Sequence, residues 1–227
     1  MNENQEEQKV ISLLNVYVMT YEQAQQLRME TMNRMRNWLR DTVPKEEWDE
    51  KDFSDKKILA GGIIPNNLMD LLEDRIIPME KNFNKLIKRE IKNYPLWDWL
   101  KDVRGISHIL GARLLHRIDG KEFAQVSNLW SYAGLDGPGW RGRPHNWDLT
   151  SICYLIGDSF VKAGGEYRKV YDDRKEYERT KPPCEKCLEK DNEDRCSDGH
   201  IHNRAKRYAV KEFLKDLWVE MDRLKEE

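Results

Sequence analysis

LKDVRGISHILGARLLHRIDGKEFAQVSNLWSYAGLDG, residues 100–137, is the stretch that decides the fold of this chain. A glycine turn divides two short apolar-periodic segments, which is the pattern of a helix-hairpin-helix. Gly105 can adopt the positive φ of a tight connection, and Ile106 can turn inward. Ser107 is placed to cap a helix that starts near His108. Because amides at a helix N-terminus bind anions, the pattern predicts a phosphate site, and in this kind of hairpin the phosphate belongs to a nucleic acid.

The charge of the whole chain gives this prediction no support, but its local distribution does. The chain of 227 residues has 39 Lys and Arg against 41 Asp and Glu, a formal net charge of −2. Between residues 85 and 121, the basic residues are Lys85, Lys88, Arg89, Lys92, Lys101, Arg104, Arg113, Arg117 and Lys121, against four acids. Such a run is ordinarily a solvated face. Beside the hairpin, we interpret Arg104, Arg113 and Arg117 as part of a phosphate-binding strip.

A glycine-rich loop from Asp136 to Asn146 adds Arg141 and Arg143 to this strip. Two interpretations of the loop stay open. Its arginines, together with Trp140 and Trp147, contact a nucleic acid by charge and stacking. Alternatively, the tryptophans cover the core and the arginines are solvated.

Two long amphipathic segments precede the hairpin. Apolar residues recur every three or four positions from Val10 to Leu39, which predicts one long helix. A second helix is predicted from Asn66 to Ile91, with a kink at Pro78 and a linker over residues 41–65. A narrow apolar seam requires a partner helix. We therefore expect residues 1–95 to form an antiparallel coiled-coil arm, paired within one chain or between two, and the protein to be a homodimer.

The rest of the chain also has helical patterns. We predict a buried helix over Leu149–Lys162, a charged helix over Glu166–Thr180 and a last helix over His200–Leu224. No strand pattern is convincing, so the fold class is all-α, with residues 96–227 as the helix-hairpin-helix domain. The polar N-terminus and the lack of a long apolar run predict a soluble, cytoplasmic protein without a membrane partner.

Three of the four cysteines cluster near a pair of histidines. Cys184, Cys187, Cys196 and His200 have the spacing C-x2-C-x8-C-x3-H, and His202 follows as an alternative fourth ligand. A C-x2-C knuckle with two returning ligands is typical of a structural zinc site. The intervening segment has almost no apolar content and needs a cross-link to fold. We therefore predict a zinc clip over residues 184–202, with His200 as the favoured ligand.

The hairpin and the residues after it resemble a known family. The residues are Val103 to Leu115, Ile118-Asp119-Gly120, Phe123, and Leu129-Trp130-Ser131-Tyr132-Ala133-Gly134-Leu135. They look like the C-terminal domain of the insertion-sequence one-ten transposase family, also called the one-sixteen or nine-zero-two family. The resemblance extends from about Asn66 to Trp218 and implies a helical dimerisation segment, the hairpin domain and a basic last helix.

The chain also departs from that family. The family's N-terminal nuclease domain, with four acidic residues around metal, has no counterpart here, and the loop after Ala133-Gly134-Leu135 lacks the family's nucleophilic serine. The usual Gly-Ile-Gly is Gly105-Ile106-Ser107. We therefore name no catalytic residue, leave enzymatic activity open, and interpret the chain as a DNA-binding protein from a mobile element or phage. The alternatives are a recombinase component that works with a separate nuclease, and a protein-interaction adaptor.

Overall fold

The computed structural model of the chain describes residues 12–42, 66–136, 145–190 and 194–226. Every secondary-structure element within these ranges is helical, so the fold class is all-α as predicted. The chain divides into two compact units, residues 1–90 and residues 91–227. Most of the predicted 41–65 linker, together with Arg141 and Arg143, lies outside the described residues.

The first unit contains two long helical segments. Helix α1 spans Leu13–Thr42. The second segment consists of α2 (Asn66–Asp70), a π-helical turn (Leu71–Ile76) and α3 (Ile77–Glu90). The order of their contacts is antiparallel, because Tyr17 meets Phe83 and Arg28 pairs with Glu80 at 2.6 Å. Further along α1, Met32, Met35 and Leu39 form a buried cluster with three residues of the second segment, Met69, Leu72 and Ile76. The two segments therefore pair within one chain.

The π-helical turn lies directly before Pro78, where the sequence predicts a kink. The amide of Ile77 donates to the carbonyl of Leu72, five residues earlier, instead of the four of an α-helix. A proline has no amide hydrogen and its ring clashes with the carbonyl four residues before it. The wider turn occurs where this disturbance falls, which is a known setting for π-bulges.

The second unit is built on a long C-terminal helix. Its elements in chain order are a 3₁₀ turn (Ile91–Asn93), α4 (Pro95–Leu100), α5 (His108–Ile118), α6 (Val126–Tyr132), α7 (Trp147–Ala163), α8 (Glu166–Arg179), α9 (Glu185–Leu188) and α10 (Asp198–Glu226). Helix α10 packs against α4, α6, α7 and α8. Helix α7 is apolar along its inner face and ends at Gly164 and Gly165, which both have positive φ.

Aromatic rings form the centre of this unit. Phe213 of α10 is fully buried and contacts Trp99, Phe160 and Tyr167 at ring-centroid distances of 5.8, 5.3 and 5.4 Å. These residues come from α4, α7 and α8, so one side chain joins four helices. Cys153 is also buried, as predicted for a core thiol, and burial raises its pKa to about 12. None of the helices in the described ranges has the length and apolar content that crossing a membrane requires.

Candidate metal centre and phosphate-binding hairpin

The hairpin turn has the backbone geometry that its sequence predicts. Gly105 has a φ of 105°, a conformation that residues with a Cβ rarely adopt. Ile106 is buried, and the Ser107 hydroxyl accepts a hydrogen bond from the Leu110 amide at 3.2 Å. Ser107 is thus the N-cap of α5, and it is exposed at the surface.

The same turn is fastened to the end of α7. The hydroxyl of Ser159 donates to the carbonyl oxygen of Gly105 at 2.5 Å. A Cβ on Gly105 would lie 3.0 Å from Cδ1 of Phe160 and 3.5 Å from the Cβ of Ala163. Glycine is therefore required here both for its φ and for the close approach of the turn to α7.

Arg104 is exposed next to this turn, in surroundings of mixed charge. Its side-chain stem lies against Gly165, where a Cβ would come within 3.0 Å of the Cβ of Arg104. An open groove of about 490 Å³ runs beside it. The charged residues that line the groove are Asp98, Asp102, Arg104, Glu166, Glu220 and Arg223. Acids therefore outnumber bases along the groove, which the local charge count of the sequence does not reveal.

The other predicted nucleic-acid contacts have different environments. His108 and Arg113 lie half-buried in α5. The side chain of Arg117 is 13% exposed and its Nε lies 3.4 Å from a carboxylate oxygen of Asp148, so this arginine joins α5 to α7. Trp147 is 65% exposed and contacts the ring of His145, so it does not cover the core.

The four predicted metal ligands do come together. Cys184 precedes α9, Cys187 lies within it, Cys196 precedes α10, and His200 is in the first turn of α10. Their ligand atoms all lie within 4.8 Å of one another. Nδ1 of His200 is 3.5 Å from Sγ of Cys184 and 3.1 Å from Sγ of Cys187.

These distances suit one tetrahedral ion. Zinc–sulfur and zinc–nitrogen bonds of about 2.3 and 2.0 Å give sulfur–nitrogen edges of about 3.5 Å in a tetrahedron. Three thiols and one imidazole around one point are the donor set of a structural metal site, and four protein ligands leave no position open for a substrate.

His202 has another role. Its Nδ1 lies 2.7 Å from the hydroxyl of Tyr171 on α8, and the two rings meet edge to face. Of the two histidines left open by the sequence, His200 therefore faces the cysteines.

The electrostatics of the cluster favour the metal-binding form at Cys184 and at His200 and disfavour it at Cys196. Burial would raise the pKa of Cys184, but hydrogen bonds from Cys187 and Cys196 and the charge of Arg204 outweigh it and lower that pKa. Burial, with Arg204 and Lys186, lowers the pKa of His200, so the imidazole is neutral at neutral pH. Thiolate and neutral imidazole are the forms that bind a metal. The pKa of Cys196 is raised, mainly by burial.

Beside the metal centre lies an ion cluster that our sequence analysis did not identify. Glu178 of α8 is 3% exposed. Its carboxylate pairs with Arg174 at 2.5 Å, Arg204 at 3.2 Å and Lys181 at 3.5 Å. Burial disfavours the charged form of Glu178, but these cations more than compensate, and its pKa is lowered. The sequence signal that was available is Arg174, four residues before Glu178 on the same helix. It does not reveal that Arg204 approaches from α10.

Comparison of the chain with protein-family models, with curated proteins and with solved structures gives no match.

Proposed function

We propose that this chain is a DNA-binding protein of the kind that the transposase resemblance implies, in which the hairpin holds the phosphate backbone without reading sequence. The observation that carries the proposal is the turn at Gly105. This residue has a positive φ, and two residues later Ser107 caps α5 at the surface. The N-terminus of α5 offers the positive end of a helix dipole there. Exposed Arg104 would add charge, with Arg113 next along α5 and Arg141 and Arg143 in the glycine-rich loop.

Binding assays with a charge-reversal variant of the hairpin and a charge-reversal control test this proposal. Labelled duplex, branched and single-stranded DNA and a structured RNA are titrated against wild type, Arg104→Glu/Arg113→Glu and the control Arg34→Glu. Arg34 is 73% exposed on α1, far along the sequence from the hairpin. We expect wild-type affinity to fall steeply with salt, and the double variant to bind DNA at least about tenfold more weakly with a shallower salt slope. Equal binding by all three proteins contradicts a phosphate-binding hairpin, and preference for RNA corrects the ligand.

We further propose that the metal is Zn²⁺ and that its role is structural. The Cys₃His donor set fits zinc, which would hold α9 against the start of α10. The reduced thiols that this requires fit a cytoplasmic protein. Metal analysis of the purified chain tests the identity: one zinc per chain is expected, and iron or no metal would overturn it.

We propose that the protein is a homodimer because α1 exposes apolar side chains. Besides its buried face, α1 has exposed apolar side chains, namely Leu13, Val16, Leu27 and Trp38. A second copy packed on this stripe would bury it. Light scattering of wild type and Leu27→Lys tests this, with a change from dimer to monomer as the expected result; a monomeric wild type contradicts it.

A protein-interaction adaptor is the second candidate function, and α7 is the observation that favours it. Trp147, Tyr154 and Leu155 are exposed on this helix. Exposed apolar groups on one helix face suit a protein partner better than a phosphate. An adaptor keeps its partner after charge reversal of Arg104 and Arg113 and binds no nucleic acid in the assay above.

A further inference from the structure

The face where α8 and α10 meet has an unusual composition. Arg174, Tyr177 and Glu178 lie on one side of α8 at spacings of three and four residues, and Lys181 follows two residues after the end of the helix. Arg204, Arg207, Tyr208 and Lys211 lie on one side of α10 at the same spacings. We call the cations and rings of these two rows, with Trp130, the cation row.

Aromatic rings lie beside three of the cations, Arg174, Lys181 and Lys211. The guanidinium carbon of Arg174 lies 4.5 Å from the ring centre of Tyr208 and 5.0 Å from that of Tyr177. Nζ of Lys181 lies 4.3 Å from the Tyr177 ring, and Nζ of Lys211 lies 4.0 Å from the Trp130 ring. These are cation–π distances. A cation that lies over a ring still has N–H groups that can donate to other acceptors. The rings therefore orient the charges without neutralising them.

Carboxylates neutralise only part of the charge. Glu178 balances one of the three cations around it, and Arg207 donates from Nε to the carbonyl of Leu135 rather than to an acid. Asp136 and Glu212 act on Lys211, whose pKa is nevertheless lowered by burial and by Arg207. Five cations therefore share this face with three acids, and like charges stand close enough to repel one another. A row of fixed like charges is stabilised by a polyanion that bridges them.

We propose that the cation row is a second nucleic-acid-binding surface, which takes the phosphate backbone of a single- or double-stranded nucleic acid. The spaced ammonium and guanidinium groups match a chain of phosphates and require no base contacts. The proposal takes only the class of ligand from the proposed function, since the surface shares no residue with the hairpin.

Neutralising variants test the cation row. In Lys181→Gln/Lys211→Gln, two of its charges are removed while the buried Glu178–Arg174 pair remains. The control Arg179→Gln/Lys225→Gln removes two exposed cations that are not part of the row, one at the end of α8 and one near the end of α10. Fluorescence anisotropy is measured over a salt series with labelled DNA and RNA of equal length. Inorganic polyphosphate serves as a competitor.

We expect the Lys181/Lys211 variant to bind at least about tenfold more weakly at low salt, with a salt slope smaller by about two, and the control to bind like wild type. Lys181→Arg/Lys211→Arg keeps the charges and should keep the affinity, which separates lost charge from lost folding. Equal loss in the Gln and Arg variants contradicts the proposal.

The hairpin variant separates this inference from the proposed function. If Arg104→Glu/Arg113→Glu loses affinity and Lys181→Gln/Lys211→Gln does not, the cation row is wrong and the hairpin proposal stands. The reverse result removes the hairpin and keeps the cation row. A wild type that binds no nucleic acid overturns both.

Discussion

Ser159 and Gly105 are joined by a hydrogen bond of 2.5 Å, from the side-chain hydroxyl at the end of α7 to the carbonyl oxygen of the hairpin turn. The two residues are 54 positions apart in the chain. This bond and the close contact of Gly105 with Phe160 hold the turn against α7. A turn held in this way gives the surface at Ser107 a defined shape before any ligand binds.

Substitution of Gly105 should therefore destabilise the protein. Gly105→Ala places a Cβ at a φ of 105° and 3.0 Å from Phe160, and a backbone strained in this way costs about 1–3 kcal/mol. Urea unfolding measures the loss. Gly199→Ala is the control, because a Cβ there meets nothing within 4 Å and the change should be neutral or slightly stabilising. Similar effects of the two substitutions contradict the assigned role of Gly105.

The two histidines of the last helix should differ in metal binding. His200→Ala removes a ligand and should lower zinc content and affinity sharply, whereas His202→Ala should keep one zinc per chain, because its ring faces Tyr171. The loss of that hydrogen bond should cost about 1 kcal/mol. Metal analysis after dialysis and competition with a zinc-binding dye check this. Loss of zinc in the His202 variant alone would assign the fourth ligand differently.

Glu178 should make stability depend on pH. Its folded pKa lies below the ordinary value of 4.5, so its contribution is complete above that value and is lost as the pH falls through the folded pKa. Glu178→Gln should cost about 2 kcal/mol at neutral pH, since the charged hydrogen bonds of the cluster weaken. The difference from wild type should shrink in acid.

Glu176→Gln provides the matched control for Glu178. Glu176 is 72% exposed on the same helix and pairs with Arg179. Such an exposed pair contributes about 0.5 kcal/mol or less. Urea unfolding of the three proteins from neutral to acidic pH makes the comparison. A pH-independent difference between Glu178→Gln and wild type would show that the ionised carboxylate is not the stabilising form.

The four cysteines should react with an alkylating reagent in two classes. Burial raises the pKa of Cys153 to about 12, and the thiol is 1% exposed, so it should stay unmodified until the protein unfolds. Cys184, Cys187 and Cys196 should be protected by bound metal and become reactive with chelator. Mass spectrometry of alkylated protein counts the modified thiols, and early modification of Cys153 would contradict its place in the core.

Short-range patterns in the sequence were sufficient for the parts of the site that are close in the chain. Gly105, Ile106 and Ser107 are consecutive, so the turn and its cap could be predicted from conformational preference alone. The same holds for the Cys-x2-Cys knuckle, because a knuckle has a limited geometry. For the fourth ligand, the spacing after Cys196 favoured His200 and left His202 open.

Contacts between distant segments were not predictable in this way. Arg117 counted as a surface charge, but Asp148 on α7 pairs with it. Glu178 belongs to the charged helix predicted over Glu166–Thr180, and nothing in that segment shows that Arg204 approaches it from α10. Three of the acids beside Arg104 likewise come from separate helices, Asp98 from α4, Glu166 from α8 and Glu220 from α10. Each of these contacts depends on which helices pack together, and the spacing of apolar residues in the sequence does not determine that.

The π-helical turn over Leu71–Ile76 has a consequence for how this chain can change in length. A π-bulge corresponds to one extra residue in an α-helix. Deleting one residue there would restore the α-helical repeat with little rotation of the residues N-terminal to it, because the wider turn takes up the extra residue. Met69 would therefore stay on the face buried in the first unit, but Pro78 would again meet a carbonyl four residues before it. A single-residue deletion between Leu71 and Ile76 should thus disturb the helix at Pro78 rather than the packing of the buried face.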